Sequence, residues 1–462
     1  MNNFWDFSVW GGFHLLAVLL VSLLIANILK RTIRFLRVSL IPTSVLGGAI
    51  LLILAEIYGA ITDEVFFDTA FFGGKGCANL EIITYHTLAL GFIAATLKSS
   101  GTKLSKKRTI EIFNTGVTTV STYLLQGILG MGITIVAAMA VSGFFPAAGI
   151  LLPFGYGQGT GQALNFGVIF ETEHGFVGGR SFGLTIAALG FLSASIGGVI
   201  HLNILKKRGV IQMQNVKEGS VQMEEIQSED EIPMQGSMDK TTVQVAFVSL
   251  AYLISYLFML LLGSLLPGMK SVIYGFNFIL GVLAATLVKA VVNLLRKKGL
   301  MKRKYINDFL MTRISNFFYD IMVVAGIAAI RLGILEDYWG IILILGISGL
   351  VITYFYNRYI ARKLFPEYTE EQFLMMYGML TGTASTGVIL LREIDGNFKT
   401  PAADNMVYQN FPAIVFGFPL MLLATLAPVK PLLTFGILVA FFLVMNGILF
   451  RKQIFRRRKN RI

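Results

Sequence analysis

Leu151 to Gly167 reads LLPFGYGQGTGQALNFG, which sets Gly155, Gly157, Gly159, Gly161 and Gly167 among Gln158, Thr160 and Gln162, directly after the apolar run Phe144 to Phe154. These residue types bind rather than break bonds. Glycine lets a backbone carbonyl turn toward a ligand with no side chain in the way. Carbonyl and hydroxyl oxygens suit a hard cation such as sodium, and the start of a half-helix offers free N–H groups to a carboxylate. A second stretch, LMMYGMLTGTASTGVILL from Leu374 to Leu391, has the same character, with Thr381, Gly382, Thr383, Ser385, Thr386 and Gly387 as its polar and flexible members. The competing explanation is close helix packing, which also selects Gly, Ser and Thr in membranes. Five glycines with two glutamines, repeated in kind in the other half of the chain, favour a site.

Ionisable residues inside apolar spans cost about 2.5 to 3.5 kcal/mol on insertion scales and are default functional candidates. Asp320 lies seven residues after Arg313, about 10 Å into a helix at 1.5 Å per residue. There it would neutralise sodium, take a proton, or sit in an inner vestibule. Arg331 is placed either to clamp a substrate carboxylate or to snorkel beside Glu336 and Asp337. Asn316 and Asn165 are amides near the same places, His86 is mid-span, and Arg392 keeps company with Glu393 and Asp395. Thr160, Thr386 and Asp320 are the expected sodium ligands.

Enzyme chemistries find no footing. GYGQGTGQ lacks the Lys-Ser/Thr ending of a phosphate-binding loop and fails the dinucleotide spacing. There is no H-E-x-x-H among the four histidines and no G-x-S-x-G elbow. Cys77 is the sole cysteine, so neither an internal disulfide nor a cysteine-rich metal centre is available. No cofactor is expected beyond a coupling ion.

What must position these residues is a membrane fold. The 462 residues are 55% hydrophobic and only 14% charged, with mean hydropathy +0.70, against roughly 25% charged in soluble domains. About 20 apolar residues cross a bilayer. The expected crossings are Ser8–Leu29, Ser39–Thr62, Ile82–Leu97, Ile110–Ser142 and Phe182–Leu205, with a re-entrant hairpin at Gly143–Phe166. Lys206–Lys240 is polar and aperiodic and reads as a disordered linker. Then come Thr241–Leu266, Ser271–Leu295, Arg313–Leu335, Tyr338–Tyr359, a hairpin at Pro366–Leu391, Asn405–Ala427, and a final span Pro431–Phe450. No cationic segment precedes the first span, whose first Lys or Arg is Lys30, so it reads as a retained helix and not a signal peptide.

The order repeats. Moving the first half by 226 residues lays Thr160 and Gly161 on Thr386 and Gly387, and interrupted helices at matching places in two halves mark a transporter's binding site. The net charge of +13 is explained by position and calls for no nucleic acid: Lys30 to Arg37, Lys98 to Arg108 (with Lys103), Lys206 to Arg208, Arg296 to Lys304 and the tail RKQIFRRRKNRI all fall on one side. Asp63, Glu64, Asp68, Glu171, Glu173, Glu336 and Asp337 fall on the other. By the positive-inside rule the basic side is cytoplasmic, the N-terminus outside and the C-terminus inside. Eleven crossings satisfy this, and the two repeats are then inverted.

The chain resembles the sodium/glutamate symporter (ESS) family in GQGTG (Gly157–Gly161), in the span FGLTIAALGFLSASIGGVI, in IPTSVLGG (Ile41–Gly48) and in MLTGTASTG (Met379–Gly387). It departs in carrying Gln158 where members have His, in a less glycine-rich second tip, in a longer central linker and in an added eleventh span with a basic tail. The resemblance implies an all-α polytopic fold of two inverted repeats, each with five transmembrane helices and one re-entrant hairpin, plus the extra C-terminal helix. The division is 1–205 first repeat, 206–240 cytoplasmic linker, 241–427 second repeat, and 428–462 extra helix and tail. The implied activity is sodium-coupled import of an anionic amino acid, glutamate first, by alternating access across the plasma membrane, and a homodimer is compatible with it. The alternatives are a sodium-coupled 2-hydroxycarboxylate (citrate or malate) symporter and, from another class, a non-transporting scaffold whose basic tail, Arg451 to Arg461, holds anionic lipid.

Overall fold

The computed structural model describes residues 3–98, 105–210, 231–234, 238–395 and 399–451, and only the backbone of Gly268, Ser271, Val272, Ser385 and Phe411. Lys103, most of the linker and the tail beyond Arg451 lie outside them. The described residues are helical without strands, apart from one isolated bridge between Glu231 and Lys304.

Ten helices are long and apolar enough to cross a membrane, or eleven with one bent pair counted as a single span, so this is a multi-pass membrane protein. In chain order the main helices of the protein are α1 (Phe7–Thr32), α2 (Thr43–Thr62), α3 (Gly76–Leu97), α4 (Lys106–Ala140), α5 (Leu151–His174) and α6 (Gly179–Lys207). After the linker come α7 (Lys240–Leu265), α8 (Asn277–Lys297), α9 (Asp308–Ala328), α10 (Trp339–Leu364), α11 (Thr369–Thr381) and α12 (Ala384–Arg392). The chain continues through α13 (Ala402–Tyr408), α14 (Asn410–Leu426) and α15 (Pro431–Leu449). Neither α5 nor α11 with α12 is among the ten.

Burial separates helices that face lipid from those that build the interior. On α7 the buried residues are Lys240, Gln244, Val248, Ala251, Ser255, Met259 and Gly263, a single stripe at helical spacing, while Leu253, Leu257 and Leu261 on other faces are more than half exposed. A soluble helix would carry polar groups there. An apolar outer surface with small residues on the inner stripe is the pattern of a helix solvated by lipid.

The α5 segment is the opposite, buried along nearly all of its length. It is also not one rod. Gly159 has φ 77 and ψ −169, a conformation essentially reserved for glycine, and the chain reverses there. Phe154 and Phe166 stack with centroids 4.1 Å apart, whereas twelve residues of straight helix would separate them by about 18 Å. Phe145 before the hairpin and Phe176 after it stack at 4.7 Å, so the chain leaves at the end where it entered. The hairpin therefore runs through His174, eight residues beyond the expected Phe166, because its second arm stays helical until Gly175 caps it at φ 69.

The second hairpin is α11 and α12, broken at Gly382 and Thr383. Its arms touch backbone to backbone: a methyl group added to Gly378 would lie 2.8 Å from Cα of Gly387. Its outer ends are tied to the basic end of the bundle, where Glu370 bonds Arg358 and His201, and Lys107 pairs with Glu367 at 2.7 Å. The first hairpin's outer end belongs to the acidic end, where Arg180 bonds Glu81 at 2.6 Å and Glu171 at 3.3 Å.

Several packing relations come in answering pairs. α1 packs on α2 as α7 packs on α8; α2 packs on α9 as α8 packs on α3; α3 and α9 pack on each other, as do α4 and α10. α15 lies outside this scheme, against α4.

Three expectations need revision. The span drawn as Arg313–Leu335 is helical only over Asp308–Ala328, followed by a 3-10 stretch Leu332–Tyr338, so Arg331 is off the helix. The span drawn as Asn405–Ala427 is two helices bent by 52°, with Gln409 and Asn410 at the bend. The linker is not loose throughout: the Ile232 amide donates to Lys304 O at 3.1 Å, and Glu231 bonds the buried Lys240 at 2.8 Å. Composition sees the polarity of this segment but not the cations waiting to pair with it.

Candidate functional site

The two hairpins approach from opposite ends and meet: a methyl group on Gly159 would lie 3.4 Å from Cγ2 of Thr383. Beside this contact is a cavity of about 140 Å³. Gly157 and Gln158 of the first tip and Thr383 and Ala384 of the second line it, with the rest of the wall from α3, α4, α8, α9 and α14. Its polar lining is Thr119, Tyr123, Gln158, Tyr319, Thr383, Gln409 and Asn410, and among the described residues no Lys, Arg, His, Asp or Glu faces it.

One helix holds both tips. Broken helices end in carbonyls without intrahelical partners, and α4 supplies donors to the residue two before each break. Tyr123 Oη donates to Gly157 O at 2.9 Å, and Gln126 Nε2 donates to Leu380 O at 2.9 Å and also to Thr353 Oγ1 of α10. Tyr156 adds a further tie, donating to Gly346 O at 2.6 Å.

The glycines of the first stretch divide between the two readings. Added methyl groups would meet Ala187 N from Gly155 at 2.8 Å, the Tyr123 ring from Gly157 at 2.0 Å, Leu88 from Gly161 at 2.8 Å and Gly179 O from Gly167 at 2.6 Å. Those four allow close packing. Gly159 alone makes the turn.

The remaining expected residues scatter in an informative way. Thr160 is fully buried and donates to Met322 O of α9 at 3.2 Å, in space left by Gly326. Gln162 is buried beside it with neither amide atom hydrogen-bonded among the described residues. Buried polar groups are normally satisfied, so this amide marks a place that favours a polar ligand. Thr381 spends its hydroxyl on Tyr377 O at 2.6 Å, whereas Thr383 and Thr386 face each other with hydroxyls 3.4 Å apart. The Ser385 side chain is outside the described atoms. Gly382 and Gly387 serve the break and the crossing of the arms.

Asp320 does not join Thr160 or Thr386. Its side-chain partner is Ser44 of α2, within the IPTSVLGG segment, and Val324 and Ile327 further along α9 pack on Gly48 of α2. Asn316 is exposed on the outer face of α9, and its neighbour Ser315 is the inward residue, bonded to Gly91 O at 3.0 Å. Arg331 is exposed at the acidic end, its amide donating to Ser181 Oγ at 3.2 Å. Asn165 donates to Gly275 O, and His86 pairs with the Tyr252 hydroxyl at 2.6 Å, away from the cavity.

Sequence reasoning passed over α4 and the bend. The run Thr115, Thr118, Thr119, Ser121, Thr122 and Gln126 in an otherwise apolar span was the available signal, and every one of these residues is buried. Among them Thr119 Oγ1, like Gln409 Oε1 at the bend, lines the cavity without a hydrogen-bond partner in the described residues.

α12 begins at the cavity with no side-chain cap on its first turn. The amides there form an anion-accepting helix start. The described residues hold no cluster of three or more His, Cys, Asp or Glu side chains. Comparison with protein-family models and with curated proteins finds no match for this chain.

Proposed function

We propose that this protein is a sodium-coupled secondary transporter for an anionic amino acid, glutamate first, and that the cavity between the hairpin tips holds the cargo. The observation that carries the reading is the meeting of two broken helices from opposite ends of the bundle around a cavity whose largely apolar wall carries a few hydroxyl and amide groups. Irregular backbone at membrane depth is tolerated only inside protein or against a watery cavity, and discontinuous helices near the midplane are where transporters bind. Both hairpins are read as re-entrant, and the answering helix pairs as two copies of one unit in inverted orientation. By charge, the basic end is cytoplasmic and the membrane is the plasma membrane.

The absence of charged side chains from the lining bears on the substrate. A carboxylate is matched to the uncapped start of α12, and an ammonium to the free acceptors Gln409 Oε1 and Thr119 Oγ1. A zwitterion with one net negative charge fits such a lining better than a di- or trianion, whose added charges would find no cation there. Glutamate is therefore preferred to malate and citrate. Sodium is assigned to the hydroxyls and carbonyls around Thr160 and Gln162 and around Thr383 and Thr386; Asp320, turned toward α2, is left out of that set.

The test is uptake into proteoliposomes with an inward sodium gradient, against choline, for labelled glutamate, malate and citrate. Sodium-dependent glutamate uptake is expected, with weak competition from the other two. Sodium-driven citrate uptake that glutamate does not inhibit would reassign the substrate. No sodium-stimulated flux of any carboxylate would leave the scaffold reading standing.

A further inference from the structure

A second, larger cavity of about 530 Å³ opens at the basic end, far from the tips in the chain's plan. It is walled by the first turns of α4, the end of α10 with the loop that starts the second hairpin, and the end of α15. Lys106, Lys107, Lys363 and Arg451 line it, against Glu111 and Glu367. Both carboxylates are already engaged: Glu111 by Arg108 at 2.5 Å, from outside the lining, and Glu367 by Lys107 at 2.7 Å. Lys106 and Lys363 are exposed and make no hydrogen bond or ion pair within the described residues.

Arg451 is held in place rather than free. Its guanidinium lies over the Phe113 ring at 5.2 Å and donates to Asn114 Oδ1 at 3.2 Å. The floor is apolar, with Leu449 and Phe365 buried. The positive end of the 35-residue α4 dipole points the same way. Unspent cations above an apolar floor, between helices at a membrane surface, match an amphiphile that has an anionic head.

We propose that this cavity binds a phosphate group, and specifically that of an anionic phospholipid headgroup at the membrane–water interface of the basic end. Lys106 and Lys363 grip the phosphate, Arg451 orients it, and the apolar floor takes the glycerol and the first acyl carbons. The added helix α15 gains a purpose thereby, since it delivers Arg451 and Leu449. Bound lipid would also rest against Pro366 to Tyr368, where the second hairpin begins. The inference does not depend on what the tips transport.

The full-length protein in detergent is titrated with short-chain phosphatidylglycerol, with phosphatidylcholine of equal chain length and with inorganic phosphate, reading thermal stabilisation and retained adducts in native mass spectrometry. Phosphatidylglycerol is expected to bind and phosphatidylcholine not to. Lys106→Gln with Lys363→Gln should weaken phosphatidylglycerol about tenfold or more; Lys106→Arg with Lys363→Arg should restore it, and Lys297→Gln with Lys298→Gln, at another basic site, should leave it unchanged. Inorganic phosphate binding with the same lysine dependence would support the phosphate site but move its source to solution. Equal binding of phosphatidylglycerol and phosphate by wild type and the double glutamine variant would overturn the proposal, as would phosphatidylcholine binding as tightly as phosphatidylglycerol.

Discussion

The two hairpins solve one problem with unequal means. The first turns on a single glycine at positive φ and is packed so closely that four other glycines have no room for a methyl group; of its first arm, Leu151 to Gln158, only Gln158 is left partly exposed. The second turns over Gly382 and Thr383, both at negative φ, and follows with a nine-residue helix whose first residue, Ala384, is exposed. Equal architecture with unequal packing suggests unequal duties. On the proposed function, the first hairpin would be the fixed floor of the cargo cavity and the second the wall able to move.

The sharpest way to break this contrast is to place the same methyl group at each turn. Gly159→Ala forces an L-residue into a glycine-only conformation, at a cost of about 1 to 3 kcal/mol, and should abolish most uptake while lowering the unfolding temperature in detergent. Gly382→Ala meets the Thr386 hydroxyl at 2.8 Å, a side chain able to rotate away, and the Gly378 carbonyl and Phe191 ring less closely at 3.2 Å, at a negative φ, and should do less on both readings. Equal losses would erase the distinction between the turns.

Smaller effects are expected where α4 caps the tips. Gln126→Leu strands the Leu380 carbonyl and Thr353 together, while Tyr123→Phe strands the Gly157 carbonyl alone. An orphaned buried acceptor costs about 1 to 3 kcal/mol, so Gln126→Leu should be the more destabilising in thermal unfolding. The reverse order would mean that the first tip, not the second, leans harder on α4.

Two threonines of the same helix separate binding from folding. Thr119→Val removes a hydroxyl with no partner in the described protein and should shift stability by under about 0.5 kcal/mol while raising the KM for uptake. Thr122→Val removes bonds to Thr118 O at 2.8 Å and to Asn357 Oδ1, and should destabilise with little change in KM. Measured side by side, a KM effect in Thr122→Val alone would relocate the cavity's polar contacts.

The least consequence for transport is expected outside both hairpins. Burial alone would raise the Glu231 carboxyl, but the hydrogen bonds and charges of Lys240, Asn307 and Lys304 outweigh it and hold it below the usual carboxylate range. A depressed carboxyl contributes stability that is complete above the unfolded value of roughly 4.3 and drains away as pH falls through the folded value. Protection of the Ile232 amide against hydrogen exchange, taken relative to the intrinsic rate at each pH, should therefore fall on acidification below that range, and Glu231→Gln should lower it already at neutral pH.

The membrane character, most of the long apolar helices and the place of both breaks were legible because each rests on a local pattern: apolar length and glycine density. Gly159 stood out for that reason. What stayed hidden depends on rotation about a helix axis and on partners far along the chain. Asp320 turns to Ser44 instead of the tips, and Asn316 faces out where Ser315 faces in, and nothing in α9's own sequence fixes that register. Thr119 and Gln126 were visible as hydroxyl and amide in an apolar span, but only the arrival of two broken helices gives them something to hold. Glu231 was read as part of a disordered linker because its cations lie in sequence both after and well beyond it.

The central claim is that cargo sits between the tips, against the movable wall. A single thiol at Ala384→Cys, in a Cys77→Ser background, can be followed by its rate of reaction with a small charged thiosulfonate in vesicles. With sodium and glutamate together the rate should fall several-fold relative to choline with glutamate or sodium alone. A rate indifferent to both, in vesicles that accumulate glutamate, would place the cargo elsewhere.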